Sequence, residues 1–200
     1  MNNNRIFKRR LSPANAGFTL IELMIVIGII AVLVAVLALA VLPWLSKSAE
    51  NSTKSLLQQV GGMLADEKNP LTIDRFRKDA GPLAGQISSD PRKASAQLMI
   101  FYYAPTKEAW DGSPYYKGQS YKPRVEPKEW AQFTFTDDNA LALPYLRDGW
   151  DQPLEYSYDK IAKAVLVRSF GKDMNGKTDD DLVYDGRSGQ VKFWDELKKK

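Results

Sequence analysis

The 23 residues from Leu23 to Leu45, LMIVIGIIAVLVAVLALAVLPWL, carry no charge, and nothing else in the 200-residue chain matches them. As a helix rising about 1.5 Å per residue this run is about 35 Å long, enough to cross a hydrocarbon layer of about 30 Å. A chain holding such a run must place it in lipid or cover it with other apolar surface. Arg5, Lys8, Arg9 and Arg10 precede it without an acid. That asymmetry predicts a cytoplasmic N-terminus, one span, and the remainder on the far side of the membrane. A cleaved secretory signal is an alternative, because Ala38-Leu39-Ala40 offers a small-x-small site. The run is, however, longer than the usual core of about 7–15 residues in such signals. A plain single-span anchor is another.

Neither alternative accounts for Glu22, a carboxylate at the edge of the apolar run. Inside a bilayer it costs on the order of 2.5–3.5 kcal/mol, so it requires a partner unless it stays wet at the interface. Gly17-Phe18-Thr19-Leu20-Ile21-Glu22-Leu23, contiguous and placed between a short basic leader and the apolar run, resembles the prepilin signature of type IV pilins and type II secretion pseudopilins. The resemblance implies that a membrane peptidase cuts after Gly17 and that Phe18 becomes the N-methylated first residue. The apolar run then stays in the mature chain. It also implies that Glu22 pairs with the Phe18 amine of a neighbouring subunit, which offsets the burial cost only if both charges arrive together. Gly28, Ala31, Ala35, Ala38 and Ala40 offer small surfaces for close helix approach, and Pro43 is expected to kink or loosen the helix near the membrane exit.

The net charge of +4 does not point to nucleic acid. The four basic residues of the leader leave 24 basic and 24 acidic side chains in the rest, so the folded body lacks the excess a phosphate binder needs. There is no Cys and no His. Disulfide scaffolds, thiol catalysts, zinc-thiolate sites and Ser-His-Asp triads are therefore excluded.

Past the membrane, Leu56, Leu57, Val60, Met63 and Leu64 recur at helical spacing. Residues 46–65 thus read as an amphipathic continuation of the same helix, ending near 65 where Gly61-Gly62 weakens it. The stretch 66–90 reads as loop with a helical piece near Asp74–Asp79. Asp90-Pro91 then opens a helix that stops before Pro105. Residues 104–130 combine four prolines with Trp110, Tyr115, Tyr116, Tyr121 and Trp130; they are expected to pack as a lid over a sheet, with a partner surface as the alternative, and nothing in them indicates catalysis. Strands are expected at Ala131–Thr136, Leu154–Tyr158, Ala164–Phe170, Leu182–Tyr184 and Gln190–Trp194, with a hairpin turn at Asp185–Gly189. Asp195 to Lys200 reads as a solvated tail. The expected fold class is α+β and pilin-like, a long N-terminal helix packed on a small C-terminal antiparallel sheet. Its divisions are 1–17 leader, 18–45 membrane and filament-core helix, 46–65 amphipathic continuation and 66–200 globular domain.

Within that domain, residues 169–182 (SFGKDMNGKTDDDL) place Asp173, Asp179, Asp180 and Asp181 within nine positions. Four carboxylates this close repel one another unless a cation sits among them or water screens them. Calcium takes six to eight oxygens at about 2.3–2.6 Å and accepts irregular loops. The spacing is not that of an EF-hand. The loop is similar to the calcium loop of the major pseudopilin of type II secretion, and the upstream Asp148-Gly149-Trp150-Asp151-Gln152-Pro153-Leu154-Glu155-Tyr156 resembles a second segment of that family. Here Gly149, Asp151 and Gln152 replace the family's usual Pro, Gly and Asn. The resemblance implies Asp173 and the Asp179–Asp181 run as calcium ligands, with the Phe170 carbonyl contributing.

The expected function is therefore structural. The chain is read as a pseudopilin anchored in the bacterial inner membrane with a periplasmic C-terminal domain. It forms a homo-oligomeric filament that drives protein export across the outer membrane. Its expected partners are a prepilin peptidase, other pseudopilins and the inner-membrane assembly platform. A type IV pilin or minor pilin of a surface filament, serving adhesion, motility or DNA uptake, is the alternative. A metal-dependent hydrolase is a third reading, weakened because the carboxylates lie in one loop instead of converging from several elements.

Overall fold

A computed structural model describes residues 18–137 and 142–198. The leader 1–17, Gly17 included, lies outside the described residues. The first element is a helix of 46 residues, α1 (Leu20–Ala65), and Pro43 lies inside it. Its start is set by a capping box. The Thr19 hydroxyl accepts from the Glu22 amide at 3.3 Å, and the Glu22 carboxylate accepts from the Thr19 amide at 2.8 Å. The chain divides into two compact units between Trp44 and Leu45. In the first, residues 18–41 and 43–44 are exposed along their whole length.

The second unit is an α+β body built on the outer half of α1. Leu56, Leu57, Val60 and Leu64 are buried and form one side of its core, as the helical spacing predicts. The end of α1 at Ala65 agrees with the sequence reading, but Gly61 has a further reason to be glycine. A Cβ there would stand 2.2 Å from the Tyr184 ring, so the strand's Tyr184 side chain packs directly on the helix backbone. Helix α2 (Ile73–Ala80) is capped by Thr72, whose hydroxyl accepts from the Arg75 amide. Helix α3 (Pro91–Tyr103) is capped by Asp90, which accepts from the Arg92 amide at 2.9 Å. Leu98, Phe101 and Tyr102 of α3 are buried.

The aromatic segment 104–130 packs inward, as expected, and holds an unforeseen short helix, α4 (Lys107–Gly112). Trp110 and Tyr116 stack with centroids 3.8 Å apart, and the Trp130 indole donates to Gln59 of α1 at 3.0 Å. The strand expected at Ala131–Thr136 is largely absent. Ala131–Phe133 form a 3-10 turn, with the Phe133 amide donating to the Trp130 carbonyl. Only β1 (Thr134–Phe135) is extended, and it pairs antiparallel with β2 (Tyr145–Leu146). The buried Trp130 fixes the local turn, and the alternation of Phe133 and Phe135 alone does not outweigh it.

The main sheet is antiparallel, in the order β3 (Glu155–Asp159), β4 (Ala164–Ser169), β5 (Leu182–Asp185), β6 (Gln190–Phe193). Its hairpin at Asp185–Gly189 closes where the sequence places it, with the Gly189 amide donating to the Asp185 carbonyl at 2.8 Å. The tail from Asp195 is solvent-facing at Glu196 and Lys198, as expected, and it is also ordered: Trp194–Lys198 form a helical turn, α5. The Trp194 amide donates to the Asp181 carbonyl, while Asp195 and Glu196 at its start and Lys198 at its end complement the helix dipole. The α+β class with a long N-terminal helix and C-terminal antiparallel sheets is the one observed.

Candidate functional site

At the N-terminal end the structure places Phe18 and Glu22 in the open, Phe18 being 83% exposed. The Thr19 hydroxyl donates to the Glu22 carboxylate at 2.7 Å, so both Thr19 donors converge on one oxygen. A carboxylate in the first turn also faces the positive end of the helix dipole. Glu22 is thereby held in place within its own chain, at the foot of an apolar helix. Among the described residues α1 is the one helix long and apolar enough to cross a membrane.

The acidic loop lies between β4 and β5. It brings together Asp173, Asp180 and Asp181, each offering a carboxylate oxygen within 4.8 Å of the others. Asp179 is exposed and stands outside this group. Asp181 is fully buried; its carboxylate accepts from the Lys177 amide at 2.7 Å and the Thr178 hydroxyl at 3.0 Å. Burial pushes its carboxyl above the ordinary range, against these bonds and the Arg168 guanidinium at 3.8 Å. Burial acts upward on Asp180 too, but bonds from Thr178 and from the Asp173 and Lys172 amides outweigh it and hold the carboxyl below its usual value. Asp173 accepts from the Asn175 amide at 2.8 Å. The Phe170 ring is buried, with Arg92 at 3.8 Å and Arg168 at 4.5 Å from its centroid.

Two contributors, Thr178 and Arg168, escaped the sequence reading, and Gly171 was legible there only as a residue that permits a tight turn. Thr178 donates to two of the carboxylates at 3.0 Å or less. Arg168, from β4, sets a positive charge at the edge of the loop. Gly171, at φ +62°, lets the chain pass so close to Asp180 that a Cβ would stand 2.6 Å from its carbonyl and its carboxylate. The Gly in the loop was visible as a turn residue; the strand-borne Arg168 had no local signal. Oxygen-only donors, three of them carboxylates, fit a hard cation of the calcium type.

Upstream, Asp148 is buried and accepts from the Ser169 hydroxyl at 2.5 Å and from the Trp150 and Gln152 amides, each at 2.9 Å. Burial raises its carboxyl above the usual range despite these bonds.

With that geometry in hand, comparison of the sequence with known families gives one match. The family of the prokaryotic N-terminal methylation motif matches residues 12–38. This is a prepilin-type N-terminus. The match spans Gly17, Phe18 and Glu22 and the apolar run as far as Ala38. The motif supports a type IV pilin-like subunit with a membrane-anchoring helix and a C-terminal soluble domain, and it implies processing by a prepilin peptidase and pilus-type assembly. No curated protein and no solved structure matches the chain significantly.

Proposed function

We propose that the chain is a structural subunit of a periplasmic pseudopilus in a type II secretion system, and that it carries out no catalysis. The observation that carries this reading is the first half of α1, apolar and exposed from residue 18 to 41, with Glu22 at its start. Among the described residues such a surface has no partner within its own chain. Before assembly lipid covers it, and afterwards the same face is covered by sister helices, with small residues such as Gly28 and Ala31 allowing close approach. Glu22 then finds the freshly cut Phe18 amine of a neighbour. Other pseudopilins and an inner-membrane assembly platform complete the machine, which pushes folded proteins across the outer membrane.

The acidic loop supports the pseudopilin form of this reading. Asp173, Asp180 and Asp181 would hold a structural calcium ion, with the Phe170 carbonyl as a further oxygen. Bound there, the ion supplies the positive charge that lets these carboxylates pack together. The chain's own part is to orient them: amides from Lys172, Asp173 and Lys177 aim the carboxylates, and Arg168 offsets part of their charge. A cell lacking the chain tests the function. Exported proteins should accumulate in its periplasm while surface motility and DNA uptake persist. Normal export with loss of surface filaments would make the chain a type IV or minor pilin instead. For the ion, calcium at about 100 times its dissociation constant should stabilise the full-length protein in detergent by about 2.7 kcal/mol. A melting temperature indifferent to calcium and to EDTA would remove the ion from the account.

A further inference from the structure

Asp148 is a buried carboxylate that neither filament packing nor ion binding uses, and its surroundings tie two distant parts of the body together. On one side its Oδ2 accepts from the Ser169 hydroxyl at 2.5 Å, and the same hydroxyl accepts from the Gly171 amide at 3.3 Å. Gly171 is the residue pressed against Asp180 of the acidic loop. On the other side Asp148 Oδ1 accepts from the Trp150 and Gln152 amides and so fixes the turn 148–152. That turn lies directly on α1. The Gly149 amide donates to the Thr53 hydroxyl at 2.8 Å, which donates in turn to the Ala49 carbonyl at 2.8 Å. A Cβ at position 149 would stand 2.4 Å from that carbonyl, so the turn can approach only because Gly149 has none. Thr53, Asp148 and Ser169 are all buried.

We propose that Asp148 is a positioning residue that couples the order of the acidic loop to the seating of the 148–152 turn on helix α1. The relay runs from Asp180 through Gly171, Ser169, Asp148 and Gly149 to Thr53 and Ala49. Asp148 and Gly149 are chain neighbours in the turn that the Asp148 carboxylate fixes, and every other step is a direct hydrogen bond or a contact too close to admit a side chain. Loosening the loop frees the Ser169 hydroxyl from its place, Asp148 loses its shortest bond, and the turn opens from the helix. The position of the contact gives the coupling a consequence. Ala49 lies four residues beyond Leu45, where the uncharged run ends, so the state of the loop is felt on α1 just outside the membrane-spanning stretch. Insofar as calcium is what orders the loop, this coupling rests on the calcium reading; the hydrogen-bond relay itself does not.

Amide hydrogen exchange on the full-length protein in detergent micelles tests the proposal, read at Gly149, Trp150 and Gln152. Asp180→Ala removes the acceptor for the Lys172 and Asp173 amides and loosens the loop. It should speed exchange at the three turn amides about tenfold, an ordinary size for intramolecular coupling. In a Ser169→Ala background, where the relay is cut, the same Asp180→Ala change should move them by less than about twofold, because sites without a shared path add independently. An equal response with and without the Ser169 hydroxyl, or no response in either, overturns the proposal. If Ser169→Ala does not fold, Ser169→Cys, which keeps a side chain of similar shape but only a weak donor, is scored the same way. A parallel arm replaces Asp180→Ala by EDTA. Propagation from Asp180→Ala with no effect of EDTA on the loop would keep the coupling and discard calcium.

Discussion

The two halves of α1 obey opposite rules although they are one helix. From Leu23 to Trp44 the residues are apolar on every side, and those whose side chains are described are exposed. Beyond it only a stripe is apolar, and Leu56, Leu57, Val60 and Leu64 disappear into the body. A helix that is apolar all round requires an external solvent or partner, whereas an amphipathic one finds its partner within its own chain. The two halves therefore answer to different demands. Side chains in the first half matter to lipid and to other subunits, and those in the second matter to folding.

Substitutions that sharpen this contrast differ greatly in size. The largest effect is expected for Glu22→Ala. On the proposed pairing it would leave the neighbour's amine buried without a counter-charge, and incorporation into filaments should fall more than about tenfold. Cleavage after Gly17 and the denaturation midpoint of the body should not move; normal incorporation would erase the distinction between the halves at this residue. Next comes a leucine pair. Leu57→Ala should cost about 2–5 kcal/mol in urea denaturation of the full-length protein in detergent, and Leu33→Ala, on the exposed half, should leave the midpoint where it was. Equal losses would mean that the two halves share one core.

The glycines of α1 provide a finer comparison. Gly61→Ala drives a Cβ to within 2.2 Å of the Tyr184 ring and should destabilise the body by about 1–3 kcal/mol. Gly28→Ala meets nothing within 4 Å. It should leave the subunit unharmed and favour the helix by about 1 kcal/mol or less, with any cost confined to filament packing. Identical responses at the two positions would contradict the division.

The smallest effect is on pH dependence, and it opposes two buried carboxylates within the body. Asp185 is pushed up by burial, but bonds from Arg187 and Ser188 outweigh this and hold its carboxyl below the usual range. Its contribution to stability is therefore present above the ordinary carboxylate value and lost as pH falls through the depressed one. Asp148 is raised by burial. Its contribution is complete below the ordinary value and declines as pH rises through the raised one. Relative to the unsubstituted protein, Asp185→Asn should thus lose most stability near neutrality and least in acid, and Asp148→Asn the reverse. Parallel pH profiles would refute the opposed shifts.

How far the sequence disclosed this structure depends on the range of the interaction involved. The apolar run, the stripe at Leu56 to Leu64 and the Asp90-Pro91 start of α3 are local patterns, and each became the element it predicts. The hairpin at Asp185–Gly189 is likewise local. The 3-10 turn at Ala131–Phe133 was hidden because its cause is Trp130 reaching Gln59 on α1, 71 positions away. The helical turn at Trp194 depends on a carbonyl of the acidic loop. At the candidate site the clustering of Asp173, Asp180 and Asp181 was legible as charge density, and Arg168 beside them was not. Asp148 showed only as part of a family-like segment; that it joins the loop to α1 required the fold.

The central claim is that the apolar half of α1 is released at its cytoplasmic end and retained in the mature subunit. Mass spectrometry of the N-terminal peptide from the membrane-bound protein tests it directly. The account predicts a chain beginning at an N-methylated Phe18. A chain beginning after Ala40, or one still carrying residues 1–17 in cells with an active prepilin peptidase, would contradict it.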